Sequence, residues 1–205
     1  MLLNMAKKEI QFKIVYYGPA LCGKTTNLEQ VHTNVAAKSK GNLTSLATSQ
    51  DRTLFFDFLP LHTTKIEGWT TKFQMYTVPG QVKYNSTRRL VLRNCDGVVF
   101  CADSQWEKMN ENVDSWANLE ENLAHQNDTL TEMPHVMQYN KRDLPNIAPV
   151  QYMEYLLNSH ETKIPVYEAA AINGEGVMET LNAISKLVVS DFISKHQAKG
   201  NVARA

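Results

Sequence analysis

Gly18-Pro19-Ala20-Leu21-Cys22-Gly23-Lys24-Thr25, followed by Thr26, lies between a strand-like run and a helix-like run. It fits the phosphate-loop pattern G-x-x-x-x-G-K-[ST]. Ahead of it Ile10, Phe12 and Ile14 alternate before Val15-Tyr16-Tyr17, the signature of a buried strand. Behind it Asn27–Ala37 reads as a helix. A strand, a tight loop and a helix start make an anion site. Gly18 and Gly23 let the backbone N–H groups turn inward, and the helix start adds positive potential. Lys24 can reach the β- and γ-phosphates of a nucleotide, and the Thr25 hydroxyl can ligate Mg²⁺. Ala20, Leu21, Cys22 and Thr26 complete the candidate phosphate contacts. The surrounding strand and helix weigh against an accidental Gly-Lys-Thr at the start of an ordinary helix.

Strand-like and helical segments alternate along the rest of the chain. The periodicity predicts strands over Ile10–Tyr17, Thr53–Leu61, Thr70–Val78, Gly97–Ala102, His135–Tyr139 and Ile164–Glu168. It predicts helices over Lys24–Ala37, Val82–Arg93, Glu107–Gln126, Pro149–Asn158 and Val177–His196. This order implies an α/β fold with a mostly parallel six-stranded sheet and helices on both faces. Thr53–Leu61 and Thr70–Val78 have too short a connection for a parallel crossover, so they form one antiparallel edge hairpin. The expected organisation is one domain over 1–196 and a mobile tail over 197–205.

Composition narrows the functional classes. The formal net charge is zero, with 21 basic and 21 acidic residues, which gives no support to nucleic-acid binding. Cys22, Cys95 and Cys101 form no C-x-x-C pair, so no disulfide framework or zinc site is expected and a reducing cytoplasm fits. No apolar run reaches transmembrane length. The start lacks a signal-peptide core, and neither end carries a lipidation motif, so no direct membrane anchor is expected.

Four further stretches can complete a nucleotide site. Asn140-Lys141-Arg142-Asp143 follows a strand, at the end where open parallel sheets bind ligands. The Asp143 carboxylate can accept from the guanine N1–H and exocyclic amine. Adenine offers neither donor, so ATP would leave the carboxylate unpaired. Asn140 braces the loop, and the Lys141 stem can lie over the base. Glu168-Ala169-Ala170-Ala171 follows the next strand, and the Ala171 N–H can face guanine O6. A plain small-residue loop is equally compatible there.

Thr77-Val78-Pro79-Gly80-Gln81 ends the third expected strand. Gly80 can offer its N–H to the γ-phosphate, and Gln81 can orient an attacking water. Thr77 stands where an aspartate usually faces Mg²⁺ through water, and a hydroxyl is the poorer partner. Asp51-Arg52-Thr53 offers Thr53 as a second Mg²⁺ ligand and Arg52 as an arginine finger in cis. A surface arginine paired with Asp51 is as good a reading of Arg52. Phe55, Phe56 and Phe58 serve either a core edge or an exposed partner surface.

With these motifs in this order, the chain resembles small Ras-like GTPases, and most closely the MglA family of bacterial gliding-motility and polarity GTPases. The resemblance rests on Lys13–Pro19, Arg52–Pro60, Tyr76–Gln81 and Asn140–Pro145 and spans nearly the whole chain. Thr77 is itself a mark of that family. The resemblance implies GTP and GDP as ligands with Mg²⁺, and catalytic roles for Gln81, Arg52 and Lys24. It also implies a roadblock-type activating partner of the MglB kind, effectors of motility or polarity, and recruitment to a cell pole when GTP is bound. A monomer is expected.

One departure matters. Ala20 occupies a loop position where these GTPases usually carry glycine. Its methyl group would crowd the space that Gln81 and Arg52 use as the transition state forms, so slow intrinsic hydrolysis is expected while ground-state GTP binding survives. A nucleotide-binding scaffold with little turnover is the alternative that Ala20 and Thr77 motivate. A phosphate-loop ATPase or kinase is the second, and Asn140–Asp143 argues against it.

Overall fold

The computed structural model describes residues 1–47, 53–66, 68–159 and 162–202; for 38, 45–47, 53–58, 62–66, 82 and 197–202 it describes the backbone alone. The strands are β1 (Leu2–Asn4), β2 (Glu9–Tyr17), β3 (Thr44–Ala47), β4 (Thr53–Ile66), β5 (Trp69–Thr77), β6 (Gly97–Asp103), β7 (His135–Asn140) and β8 (Val166–Glu168). The helices are α1 (Lys24–Asn34), α2 (Asn85–Leu92), α3 (Met109–Ala124), α4 (Val150–Leu157) and α5 (Val177–Val202).

These strands make one sheet in the order β3-β4-β5-β2-β6-β7-β8, with β1 also paired to β2. β2 is parallel to both β5 and β6, and β6-β7-β8 continue in parallel. The α/β class and the mostly parallel sheet stand as expected, but among the described residues the sheet has eight strands rather than six. The additions, β1 and β3, are antiparallel to β2 and β4 and too short to show a period in sequence. Because β3 lies outside β4, the antiparallel hairpin β4–β5 is not itself the edge. β4 runs on to Ile66, which pairs with Trp69. α5 continues past the expected end at His196 to Val202.

Alternation along β2 divides the core in two. Ile10, Phe12, Ile14 and Tyr16 face Leu28 and Val31 of α1 and Leu181, Ile184 and Val188 of α5. Val15 and Tyr17 face Val91 and Leu92 of α2, Trp116, Leu119 and Leu123 of α3, and Met153 of α4. Each fully buried aliphatic or aromatic side chain contributes roughly 1.5–3 kcal/mol. With helices on both faces, β6 needs no polar alternation and all seven of its residues are buried.

The parallel registers bring the strand ends to a common rim. Tyr16 pairs with Thr77, Asp103 with Asn140, and Tyr139 with Glu168. The chain leaves β2 between β5 on one side and β6 on the other, the crevice where ligands of open α/β sheets bind.

Candidate functional site

The Gly18–Gly23 loop lies in that crevice and hands directly into α1. Gly23 is the residue before the helix, in a left-handed conformation (φ 99°). A side chain there would also collide with the Asn140 amide, so only glycine serves. The first turn of α1 carries no acidic residue, which leaves the helix start open to an anion. Leu21, 58% exposed, holds a left-handed conformation (φ 62°) that non-glycine residues adopt at a cost of about 1–2 kcal/mol.

The Lys24 ammonium is buried and preset over the loop. Its Nζ donates to the carbonyls of Gly18 at 3.0 Å and Pro19 at 2.6 Å. The Cys22 thiol is buried beside it, 3.6 Å from Nζ. Burial pushes the Cys22 thiol above its ordinary range, and the Lys24 charge only partly offsets this. Thr25 is half-buried, one residue further into the helix.

Asn140 joins the phosphate loop to the far side of the site. Its Nδ2 donates to the Cys22 carbonyl at 2.8 Å, and its Oδ1 accepts from the Ala171 N–H at 2.9 Å. Lys141 follows in a left-handed conformation (φ 65°). Its Nζ pairs with the fully buried Asp103 carboxylate at 2.6 Å and donates to Gln105 Oε1 at 3.2 Å. Both bonds restrain the stem. Arg142 turns away, to Glu168 at 2.9 Å and the Ala148 carbonyl at 2.8 Å. Asp143 is exposed at the rim.

The Pro79–Gln81 segment closes the other side. A Cβ on Gly80 would lie 2.6 Å from the Ala20 nitrogen and 2.7 Å from the Pro19 carbonyl oxygen, so this approach needs glycine. Arg88 of α2 holds the segment from behind. Its Nε donates to the Pro79 carbonyl at 2.8 Å, its Nη1 to Asn118 Oδ1 at 2.6 Å, and its Nη2 to the Gly80 carbonyl. Arg88 is 1% exposed, and its guanidinium lies 5.3 Å from the Tyr17 ring centre. It is held by carbonyl and amide oxygens and a π-face. Gln81 is half-buried, and its carbonyl accepts from the Tyr84 N–H at 3.1 Å. Thr77 is fully buried at the end of β5.

Arg52 lies outside the described residues, and Thr53 opens β4 with its backbone alone described. The side chains of Phe55, Phe56 and Phe58 lie outside the described residues as well. Ala171 is buried, with its N–H on Asn140, while Ile172 beside it is 66% exposed.

A Ras-family model matches residues 13–190. The chain belongs to the Ras family. It is also similar to the mutual gliding-motility protein MglA of Myxococcus xanthus (strain DK1622), with 53% identity over 190 residues, covering 93% of this chain and 96% of that protein. As a Ras-family small GTPase it carries the phosphate loop, Asn140-Lys141-Arg142-Asp143 and Pro79-Gly80-Gln81 on one rim, as the motif order implied. The donor set fits the nucleotide and Mg²⁺ that Ras-family GTPases bind in general. Threonine hydroxyls are hard oxygen donors, and Mg²⁺ completes its octahedron from phosphates and water rather than a protein cage. Among the described residues no cluster of three His, Cys, Asp or Glu offers such a cage. No described helix is long and apolar enough to cross a membrane.

Sequence reasoning missed Arg88 and Asp103. Arg88 reads as one of two adjacent arginines on an amphipathic helix. Asp103 had a signal: an acid ending a wholly apolar strand, in register with Asn140.

Proposed function

We propose that this Ras-family GTPase is a GTP/GDP switch that acts in gliding motility or cell polarity through partners that distinguish its two nucleotide states. The observation that carries the nucleotide part is the Asn140 side chain, which ties the phosphate loop to Ala171 with two hydrogen bonds. That pair of bonds supports reading the phosphate loop and the Asn140 and Ala171 segments as one site. The motility or polarity role rests on the likeness to MglA.

In this reading the N–H groups of Ala20–Thr26 and the Lys24 ammonium hold the phosphates. Asp143 accepts from the guanine N1–H and amine and the Lys141 stem covers the base, while the Ala171 N–H, expected at guanine O6, is instead donated to Asn140 Oδ1. Thr25 and Thr53 would hold Mg²⁺, which would supply charge neutralisation at the phosphates. Gly80 offers its N–H to the γ-phosphate. Gln81 orients water for in-line attack, and Arg52 and Lys24 stabilise charge developing in the transition state. Loss of the γ-phosphate releases the segments around Arg52–Phe58 and Pro79–Tyr84, which changes the surface partners meet.

The partners of this reading are a roadblock-type activator of the MglB kind and motility or polarity effectors. Its place is the cytoplasm, with recruitment to a pole in the GTP state. The Ala20 methyl beside Gly80 supports slow intrinsic hydrolysis, with GTP lifetime set by the activator.

The test identifies the nucleotide that co-purifies, then follows phosphate release from GTP with and without a roadblock protein. Bound GDP or GTP and accelerated release are expected. Failure of fluorescent GDP to bind in Mg²⁺, or its displacement by ATP as readily as by GTP, refutes the guanine reading.

A further inference from the structure

Beneath the phosphate loop lies a set of fully buried polar side chains that the nucleotide contacts above do not use. Asn27 on α1 and Gln138 on β7 are each 0% exposed. Their amides are reciprocally bonded. Asn27 Nδ2 donates to Gln138 Oε1 at 2.9 Å, and Gln138 Nε2 donates to Asn27 Oδ1 at 2.9 Å. Gln138 Nε2 also donates to Thr180 Oγ1 on α5 at 3.0 Å, and Thr180 donates onward to the Gly176 carbonyl at 2.6 Å. The Cys101 thiol of β6 donates to Gln138 Oε1 at 3.2 Å. A glutamine in the middle of a sheet buried on both faces costs several kcal/mol unless it is paired, roughly 2–7 on transfer scales. The arrangement pairs it, and the remaining donor capacity reaches the loop: Asn27 Nδ2 also donates to the Gly23 carbonyl at 2.9 Å.

That carbonyl is the informative end. It belongs to the peptide joining Gly23 to Lys24, and the Asn27 N–H also bonds it at 3.0 Å. A trans peptide is planar, with C=O and N–H pointing in opposite directions. Holding the Gly23 carbonyl down into the core therefore aims the Lys24 N–H up at the mouth of the loop. Gly23 has the widest backbone freedom of any residue there, so without the second bond this peptide is the easiest in the loop to turn.

We infer that Asn27 and Gln138, steadied by Thr180, are positioning residues that aim the Lys24 N–H at the bound phosphate. The inference rests on the reading that this loop holds a nucleotide. Gln138 and Asn140 are two apart on β7 and so share one face of the strand. Asn140 fixes the Cys22 carbonyl, and Gln138, through Asn27, fixes the next one. The loop end is thus held at two successive peptides by one strand.

The experiment compares full-length wild type with Asn27→Leu, Gln138→Leu, the double Leu variant and Thr180→Val. Fluorescent GDP release and the melting midpoint without nucleotide are both measured. Each single Leu variant strips the surviving amide of its reciprocal partner and should melt early. The double variant removes both amides together and should recover most of the midpoint, because an apolar pair of similar volume needs no partner. Its GDP release should remain at least tenfold faster than wild type. A purely structural pair predicts that release recovers along with stability, and that result overturns the inference. Thr180→Val is isosteric and keeps the test decisive if the Leu variants do not fold. Release two- to fivefold faster is expected, and an unchanged rate overturns the inference. Wild type that binds no GDP would instead refute the guanine reading itself.

Discussion

Gly80 sits against the backbone of Ala20 so closely that any side chain on Gly80 would overlap it. Loop and switch segment meet here without an intervening side chain on Gly80. Ala20 brings a methyl group to the loop side of this junction. Ala20→Gly should raise single-turnover hydrolysis of GTP several-fold with little change in GTP affinity. Equal rates would show that the methyl does not limit the chemistry. Gly80→Ala should do the reverse, slowing hydrolysis at least tenfold while GDP affinity stays within about threefold.

Gln81→Leu should keep the nucleotide and lose hydrolysis if, as proposed, its amide positions the attacking water. Phosphate release followed by a coupled assay checks this. Unchanged turnover would remove Gln81 from the reaction.

Arg88 is a fully buried cation whose bonds run to Pro79, Gly80 and Asn118. Arg88→Met leaves those oxygens unpaired but removes the charge, and should lower stability by about 2–4 kcal/mol. Hydrolysis should fall more than GDP binding, since the lost bonds hold the Gly80 segment and not the loop. Arg88→Lys should not restore it, because an ammonium cannot reproduce the fork. Denaturant unfolding and phosphate release separate the two effects.

Asp103 and Lys141 form an ion pair whose acid has no exposure. Breaking a buried pair by removing one partner costs about 3–5 kcal/mol. Asp103→Asn should weaken GDP and GTP alike by about tenfold or more, because it leaves the stem proposed to cover the base held by Gln105 alone. Preference for GTP over ATP should remain, since the proposed reader of the base is Asp143. Competition titrations test both statements, and loss of preference in Asp103→Asn would reassign base reading.

Burial raises the thiols of Cys22 and Cys101, pushes that of Cys95 up to about 12, and raises the phenols of Tyr16, Tyr17 and Tyr139. Each folded value lies above its unfolded one, so the unfolded chain loses these protons first. The stabilisation is complete below the unfolded values, near 8.5 for thiols and 10 for phenols, and is lost as pH rises. Each group contributes a slope of about 1.4 kcal/mol per pH unit between its two values. The urea midpoint should therefore fall steadily above about pH 8.5. Cys95→Ala should flatten part of that fall, and a midpoint level to pH 10 would contradict it.

The main parts of the site were legible because their chemistry demands fixed spacing. A phosphate loop must follow a strand and open a helix, so Lys24 and Thr25 could be placed from eight residues. Asn140 was legible by its position after a strand, and its bonds to Cys22 and Ala171 carry out the bracing read for it. Supporting residues were not legible in the same way. Asn27, Arg88 and Thr180 each read as an ordinary polar residue on a helix, and only tertiary pairing shows that they face inward. Gln138 had a sign: an amide set among Val136, Met137 and Tyr139 in the middle of a strand. Helix and strand ends moved where length, not pattern, decides them. β1 and β3 are too short for a period, and the polar stretch His62–Lys65 extends β4 because β5 supplies its backbone partners.

One amide, that of Asn140, spans both halves of the pocket, and this has a bearing on how cargo leaves. Dislodging the purine end tugs on the polyphosphate end, and the reverse holds too. Departure should then be concerted, with no long-lived half-detached form. A protein that speeds exchange would need to grasp only one margin of the cleft, because the other gives way with it.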